Sequence, residues 1–471
     1  MHGIIKNEVS MNLNEEYKKH YVAVIGGSIS GSEAASLLAK NGFRVVVFDM
    51  NALPYGKIED GLPNWHINLR NRQIAEIDSK LDHPNIRYVP NIKIGRDIDF
   101  LDLLNNWGFS AIILANGAWK DRHLPIAKID KFIDKELIYQ NSFIYWFNHK
   151  HETEYKGKEY SIKKNTLVIG GGLSSLDVVK VVMIETVKRQ LKLEKGIEVD
   201  LFTLEKQGIK KVLDEHNLTL DNINVKKPKL VYRRTARDMP LKSPKDKTKE
   251  SIEAARAVSE KLLNKYLEKY LFEFVPLSIP VNFTEKDGKL SGVIFQKVTV
   301  ENGKIRPLED SLFEIKTDLL ISSIGSLPEQ INGLQYEYSS LKMRDEADYH
   351  VYGYGNVFAV GNAVTGKGNI LESKKHGKQM TELIIDKHLT EDAFEKWLIN
   401  HNKQIREDVN NQLDSILKEI SGLDIQPESI IQGIINKTDE IHRKYNFMNY
   451  RDWVLKNIPE RLEDIVSKQP K

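Results

Sequence analysis

A short apolar run that ends on glycines and leads into a helix occurs twice in this chain, and that repeat constrains the fold more than any other feature. The first run is Tyr21-Val22-Ala23-Val24-Ile25, continuous in the way of a strand buried on both faces of a parallel sheet. It enters Gly26-Gly27-Ser28-Ile29-Ser30-Gly31, and a helical stretch over 32–40 closes at Asn41-Gly42. The next strand, Arg44-Val45-Val46-Val47-Phe48, stops at Asp49. The unit recurs as Thr166-Leu167-Val168-Ile169, then Gly170-Gly171-Gly172-Leu173-Ser174-Ser175, then a helix from Leu176. Three more apolar runs end on glycine: 111–114 before Gly117, 319–321 before Gly325, and 357–360 before Gly361. Strands alternating with helices predict an α/β chain built on parallel sheets.

Such a turn needs small residues so that the backbone can approach a pyrophosphate at a helix N-terminus. In the first turn Gly26, Gly27 and Gly31 supply them, and Ser28 stands where a further glycine belongs, its hydroxyl available to donate to phosphate. Asp49 lies where an acidic residue accepts the ribose hydroxyls. The second turn carries Gly170, Gly171 and Gly172 with Ser174 beside them, and Ser175 at the position that packs helix on strand. Its partner strand has two readings. A strand over 199–205 would end on Glu205 and favour an NAD-type ribose. A strand over 229–232 would end on Arg233-Arg234, a clamp for a 2′-phosphate. Pattern alone leaves both open.

The 471 residues include no cysteine, so no thiol nucleophile, disulfide or Cys-held cluster can form within them. Electrons moved by this chain must travel on an organic cofactor. Two nucleotide turns then suggest a flavin on one and a nicotinamide on the other, with hydride passing between them. That step needs positioning more than side-chain acid or base. Lys and Arg number 69 against 66 Asp and Glu, too balanced to imply nucleic-acid binding. No apolar run approaches the roughly 18 residues of a spanning helix, and the polar first 19 residues lack a secretory signal pattern, so a cytoplasmic location is expected. His149 and His151 have no ligand company, and no metal site is expected.

The order of the first glycine turn, Pro54-Tyr55-Gly56-Lys57-Ile58-Glu59-Asp60-Gly61-Leu62-Pro63, Ala115-Asn116-Gly117, the second turn, Tyr232-Arg233-Arg234-Thr235-Ala236-Arg237-Asp238-Met239-Pro240 and Gly361-Asn362 resembles two related flavoprotein groups. These are the adrenodoxin reductase-like ferredoxin–NADP reductases and the small subunit of glutamate synthase, and the resemblance covers about residues 20–385. It implies two Rossmann-like dinucleotide-binding domains: FAD on the first turn, with Gly56 and Gly117 nearby, and NADPH on a second domain inserted into the first. It assigns Arg233 and Arg234 to the 2′-phosphate, with NADH as the alternative, and makes the stretch around Glu205 an insertion. His66 matches a histidine near the flavin and is the candidate catalytic residue. Gly361 and Asn362, where Asp is usual, would meet the ribityl chain, and Gly368, Asn369 and Ile370 would lie under the isoalloxazine. Expected domains are 1–135 and 329–388 for FAD, 136–328 for NAD(P)H, and a helical extension over 389–471 that packs on the body or on a second copy.

The function so implied is an FAD-dependent NAD(P)H oxidoreductase that passes electrons to an external acceptor, such as ferredoxin or a larger oxidoreductase subunit. Glutamate synthase subunits carry N-terminal cluster cysteines that this chain lacks, which argues against that role. A two-domain flavin monooxygenase and a non-catalytic flavoprotein-like subunit are the alternatives. Lys242, Lys245, Lys247 and Lys249 form a solvated basic loop or a steering patch for an acidic protein. The cluster Tyr349, His350, Tyr352 and Tyr354 lines a flavin pocket or packs in the core.

Overall fold

The computed structural model describes residues 20–361, apart from 302, 338 and 345–348, together with 391–468. The chain opens with β1 (Tyr21–Ile25), α1 (Ile29–Lys40), β2 (Arg44–Phe48), α2 (Lys57–Asp60), α3 (Ile67–Leu81), β3 (Ile86–Val89), α4 (Phe100–Asn106) and β4 (Ala111–Leu114). It crosses through β5 (Lys120–Asp121) to β6 (Leu137–Tyr139), α5 (Gln140–His149), β7 (Thr166–Gly170), α6 (Leu173–Lys195), α7 (Leu201–Gln207), α8 (Ile209–Glu215), β8 (Lys229–Val231), α9 (Lys249–Tyr270) and β9 (Glu273–Val275). Three long strands follow, β10 (Ser278–Lys286), β11 (Lys289–Glu301) and β12 (Lys304–Lys316), before β13 (Leu319–Ser323) and β14 (Ser326–Leu327). The small hairpin β15 (Tyr336–Glu337) and β16 (Ser340–Leu341) precedes β17 (Val357–Ala359). The C-terminal region is helical: α10 (Glu391–Ser421), α11 (Glu428–Tyr445), α12 (Tyr450–Asn457) and α13 (Leu462–Ser467).

Two parallel five-stranded sheets organise these elements, in the orders β17-β4-β1-β2-β3 and β6-β13-β7-β8-β9. The chain leaves the first sheet after β4, builds the whole of the second, and returns at β17. The second Rossmann-like unit is therefore inserted in the first. Continuous apolar strands bury both faces because helices cover both sides: every residue of β1, β4, β7 and β13 is buried. A two-stranded ribbon, β5 against β14, stitches the units together just beyond the C-terminal ends of β4 and β13.

The three-stranded antiparallel sheet β10-β11-β12 has no counterpart in the strand pattern read from the sequence. It packs Leu290, Val293 and Phe295 against the second sheet's core and leaves most of β12 exposed. The C-terminal helices pack on the body. From α10, Val409, Leu413, Ile416 and Ile420 are buried in one core with Ala34, Ala35 and Leu38 of α1. Among the described residues no helix is long and apolar enough to cross a membrane, and no group of His, Asp and Glu is arranged to hold a metal ion.

Candidate functional site

Each glycine of the first turn answers to a contact. Gly26 has φ +98°, and a side chain there would meet the Ala115 carbonyl oxygen at 2.7 Å. A methyl on Gly27 would meet Pro54 Cβ at 2.7 Å, and one on Gly31 would run into the Gly26 carbonyl at 1.7 Å. The turn is thus clamped between the ends of β2 and β4, with α1 starting directly above it. The α1 N-terminus has no side-chain cap from Ser28 and no acid in its first turn, so among the described residues no side chain offsets its leading N–H groups and dipole.

Asp49 is buried at the end of β2. Its Oδ2 accepts the Gly27 N–H at 2.8 Å and its Oδ1 accepts the Asn51 N–H at 2.9 Å, while burial pushes its carboxyl up to about 6. The carboxylate therefore pins the turn to the strand, and each oxygen keeps a lone pair for a further donor. The Ser28 hydroxyl does not match the expected phosphate donor: it donates to the Tyr55 carbonyl at 3.0 Å. That bond ties the first turn to the Pro54–Gly61 segment lying over it. Gly56 stands beside Ser28 at φ +54°, and Tyr55 is wholly buried with its hydroxyl on the Asp78 carboxylate at 3.1 Å.

Farther along the same sheet edge, Gly117 has φ +64° and open space where a side chain would stand. Gly361, also at φ +64°, would bring a Cβ to 2.2 Å from Ser30 Oγ, so it lies against the first turn of α1. The ends of β2, β1, β4 and β17 thus carry Asp49, Gly26, Gly117 and Gly361 in spatial order. Asn362, Gly368, Asn369 and Ile370 lie outside the described residues.

In the second unit a methyl on Gly170 would meet the Ser323 carbonyl at 2.5 Å, and one on Gly171 would overlap the Tyr232 ring. Gly172, which precedes α6 and offers it no capping side chain, would carry a Cβ that meets nothing within 4 Å among the described residues. Ser175 is buried and donates to the Gly172 carbonyl at 2.6 Å, whereas Ser174 is exposed beside the turn. The strand ambiguity resolves in the geometry. β8 pairs in parallel with β7, Ile169 opposite Val231, which brings Arg233 and Arg234 to the edge that carries the glycines. Arg233 is exposed with no ion-pair partner among the described residues, and Arg234 donates to the Gly303 carbonyl at 2.8 Å. Arg237 is taken up by Glu253 and Glu260.

The strand over 199–205 is corrected: those residues run into helix α7. Asp200 caps that helix by accepting the Thr203 N–H, a local preference that overrides the apolar alternation. Glu205 points inward instead and receives Lys180 Nζ at 2.8 Å, both fully buried. Lys180 also lies 4.4 Å over the Trp65 ring and 3.9 Å from Asp177.

His66 closes this cluster. It starts α3, is enclosed at 2% exposure, accepts the Trp65 indole N–H at 3.0 Å, and stands 3.8 Å from Asp177 across the contact between the two units. The sequence reading picked out His66 but not Asp177 or Lys180. Their signal was two charges three apart inside the apolar stretch Leu176-Asp177-Val178-Val179-Lys180-Val181-Val182. The aromatic cluster is divided between core and surface. His350 packs at a tilt against Phe358 and bonds Glu419, Tyr354 meets Phe100 edge-on, and Tyr352 is exposed beneath Lys342.

Comparison with known proteins agrees with this architecture. A family model described as an NAD(P)-binding Rossmann-like domain matches residues 24–63. The chain is 24% identical over 383 residues to a putative glutamate synthase [NADPH] small chain of Cereibacter sphaeroides, covering 78% of this chain and 76% of that protein. It is 26% identical over 164 residues to the mitochondrial NADPH:adrenodoxin oxidoreductase of Drosophila melanogaster, 34% of each chain. The structure of Mycobacterium tuberculosis FprA in complex with NADPH superposes with a TM-score of 0.64 at 17% identity, over 90% of this chain and 91% of that one.

Proposed function

We propose that this chain is an FAD-dependent NADPH oxidoreductase that hands electrons to an external protein acceptor. One observation carries the reading. Two parallel sheets, each with an uncapped glycine turn at its C-terminal edge, are joined at those edges by the β5–β14 ribbon. Two dinucleotides laid over these edges extend toward each other, which is the arrangement a hydride transfer needs.

The residues fit the cofactors they would hold. For FAD, Gly26, Gly27 and Gly31 give the backbone clearance, and the α1 N-terminus faces the pyrophosphate. Asp49 accepts a ribose hydroxyl, and Gly117 and Gly361 keep the route along the sheet open. For NADPH, Gly172 leaves space at the α6 N-terminus, and Arg233 and Arg234 meet the 2′-phosphate at the end of β8. When bound, the flavin would supply the hydride acceptor and the onward electron donor, chemistry no side chain of this chain offers. His66, held by the Trp65 indole N–H and lying beside Asp177, stands at the contact between the units. With no cysteine in these 471 residues, a Cys-held redox carrier that follows the flavin lies outside them; a ferredoxin or a larger oxidoreductase subunit has the required chemistry.

Purified protein reconstituted with FAD should be yellow and bleach anaerobically on NADPH addition; a chain that takes up no flavin would sink the proposal. Arg233→Ala/Arg234→Ala should reduce the preference for NADPH over NADH by about 10- to 100-fold in kcat/KM, as expected for losing charge-assisted bonds to phosphate. Unchanged discrimination would remove the 2′-phosphate from this strand.

A further inference from the structure

Where the C-terminal edges of the two sheets meet, one charged side chain is held with no salt-bridge partner among the described residues. Lys57 follows Gly56 in the segment over the first turn, and its half-buried side chain reaches across to the second unit. Its ammonium donates to Ser326 Oγ at 3.0 Å and lies 5.7 Å over the Trp119 ring. Among the described residues no carboxylate comes within salt-bridge distance of it. Asp121, which acts on it through space, accepts instead from the Asn141 N–H at 3.3 Å. Asn141 also donates to the Trp119 carbonyl at 2.7 Å and to Ser326 Oγ at 3.2 Å, so the groups in direct contact with the ammonium are neutral and Asp121 acts on it only from a distance.

An ammonium taken out of water without a paired anion costs free energy that a bound anion would offset. Burial accordingly holds the Lys57 ammonium down at about 8 and the Asp121 carboxyl up at about 6. Among the described residues, space adjoins the ribbon on both sides: Gly117, just before β5, and Gly325, just before β14, both have positive φ, and a Cβ on either would meet nothing within 4 Å. Gly56 itself would carry a Cβ 3.0 Å from Ser28 Oγ and 3.5 Å from Trp119 Cζ2, which places the start of this side chain between the first turn and the ribbon.

We propose that Lys57 is a cofactor-facing cation that meets an anionic group of the dinucleotide lying on the first turn. The group is either the pyrophosphate or the ring edge that gains charge on reduction. This rests on the reading of the first turn as an FAD site. A long side chain with one fixed hydrogen bond supplies a positive charge that does not reorganise when the anion arrives.

The test uses the full chain as wild type, Lys57→Met and Lys57→Arg, reading FAD affinity by reconstitution and the midpoint potential of the bound flavin. If the pyrophosphate is the partner, Lys57→Met weakens FAD binding tenfold or more and leaves the potential of bound flavin unchanged. If the reduced ring is the partner, affinity holds and the potential falls by about 30 mV or more, a tenfold change for a two-electron couple. Lys57→Arg keeps wild-type values in either case. Lys57→Met within twofold of wild type on both measures overturns the inference, as does Lys57→Arg impaired as severely as Lys57→Met. Wild-type protein that takes up no FAD fails the reading of the first turn itself, which is a separate result.

Discussion

His149 shows at the level of one residue how the two units are fastened. It ends α5 and is buried, with Nε2 3.1 Å from Asp60 Oδ1 and Nδ1 2.5 Å from Glu152 Oε1. Burial alone would lower its basicity, but the two carboxylates outweigh burial and raise it from 6.5 to about 9. A base whose folded value is raised binds protons more tightly in the native state. The stability it contributes is fully present below about 6.5 and is lost as pH rises through about 9. Across the window between those two values the contribution is on the order of 3 kcal/mol. Urea unfolding of wild type should therefore lose about that much between pH 6 and 9.5 relative to His149→Gln. Parallel pH profiles for the two proteins would refute the assignment. At this same scale the sequence was legible for glycines and illegible for charges. Gly26, Gly27 and Gly31 are dictated by close backbone contacts that any such turn imposes, so their pattern survives in the residue string. Whether Ser28 donates to a ligand or to Tyr55, and whether Glu205 meets a ribose or Lys180, depends on chain segments 25 or more residues away.

Elements differ in how far local pattern governs them. The buried parallel strands read directly because burial on both faces demands continuous apolar residues. The β10–β12 sheet escaped because one of its faces is solvated and a register shift between Gln296 and Val298 interrupts the alternation. Its turns were nonetheless written in the sequence as Asp287-Gly288 and Asn302-Gly303; Asp287, Gly288 and Gly303 have φ of 51°, 75° and 76°. The α6–α7 contact makes a sharper demand. Lys180 and Glu205 form an ion pair in the core of the second unit, in line with Asp177 and His66. Removing one partner of such a pair leaves a charge buried alone, at a cost of about 3–5 kcal/mol, whereas replacing both by apolar residues can approach neutrality. Lys180→Met should lower the unfolding free energy by that amount, and Lys180→Met/Glu205→Leu should recover most of it. Equal destabilisation of the single and double variants in guanidinium melts would show that the pair is not the operative contact.

On the scale of the whole molecule, the helical extension is part of the first unit rather than an appendage, and it grips the segment that covers the first turn. Trp453 donates its indole N–H to the Ala52 carbonyl at 2.7 Å, and Arg461 pairs with Glu59. Tyr450 donates at 2.7 Å to Asp78, the carboxylate that also receives the Tyr55 hydroxyl. Ile405, Val409, Leu413, Ile416 and Ile420 recur along one stripe of α10 and are at most 9% exposed. At about 1.5–3 kcal/mol per buried aliphatic side chain, that stripe alone contributes roughly 10 kcal/mol, comparable to the entire net stability of an ordinary domain. A chain ending at residue 388 would expose the opposing face of α1 and release the cover over Gly27 and Ser28. It should therefore lose FAD uptake and the cooperative unfolding of the first sheet. The second unit has its own core around Val178, Ile184 and Leu230 and should keep a separate melting transition. Calorimetry and flavin titration of the shortened chain decide the matter. Wild-type flavin affinity after the deletion would mean that the extension only decorates the fold, and that Tyr55 holds its place over the turn unaided.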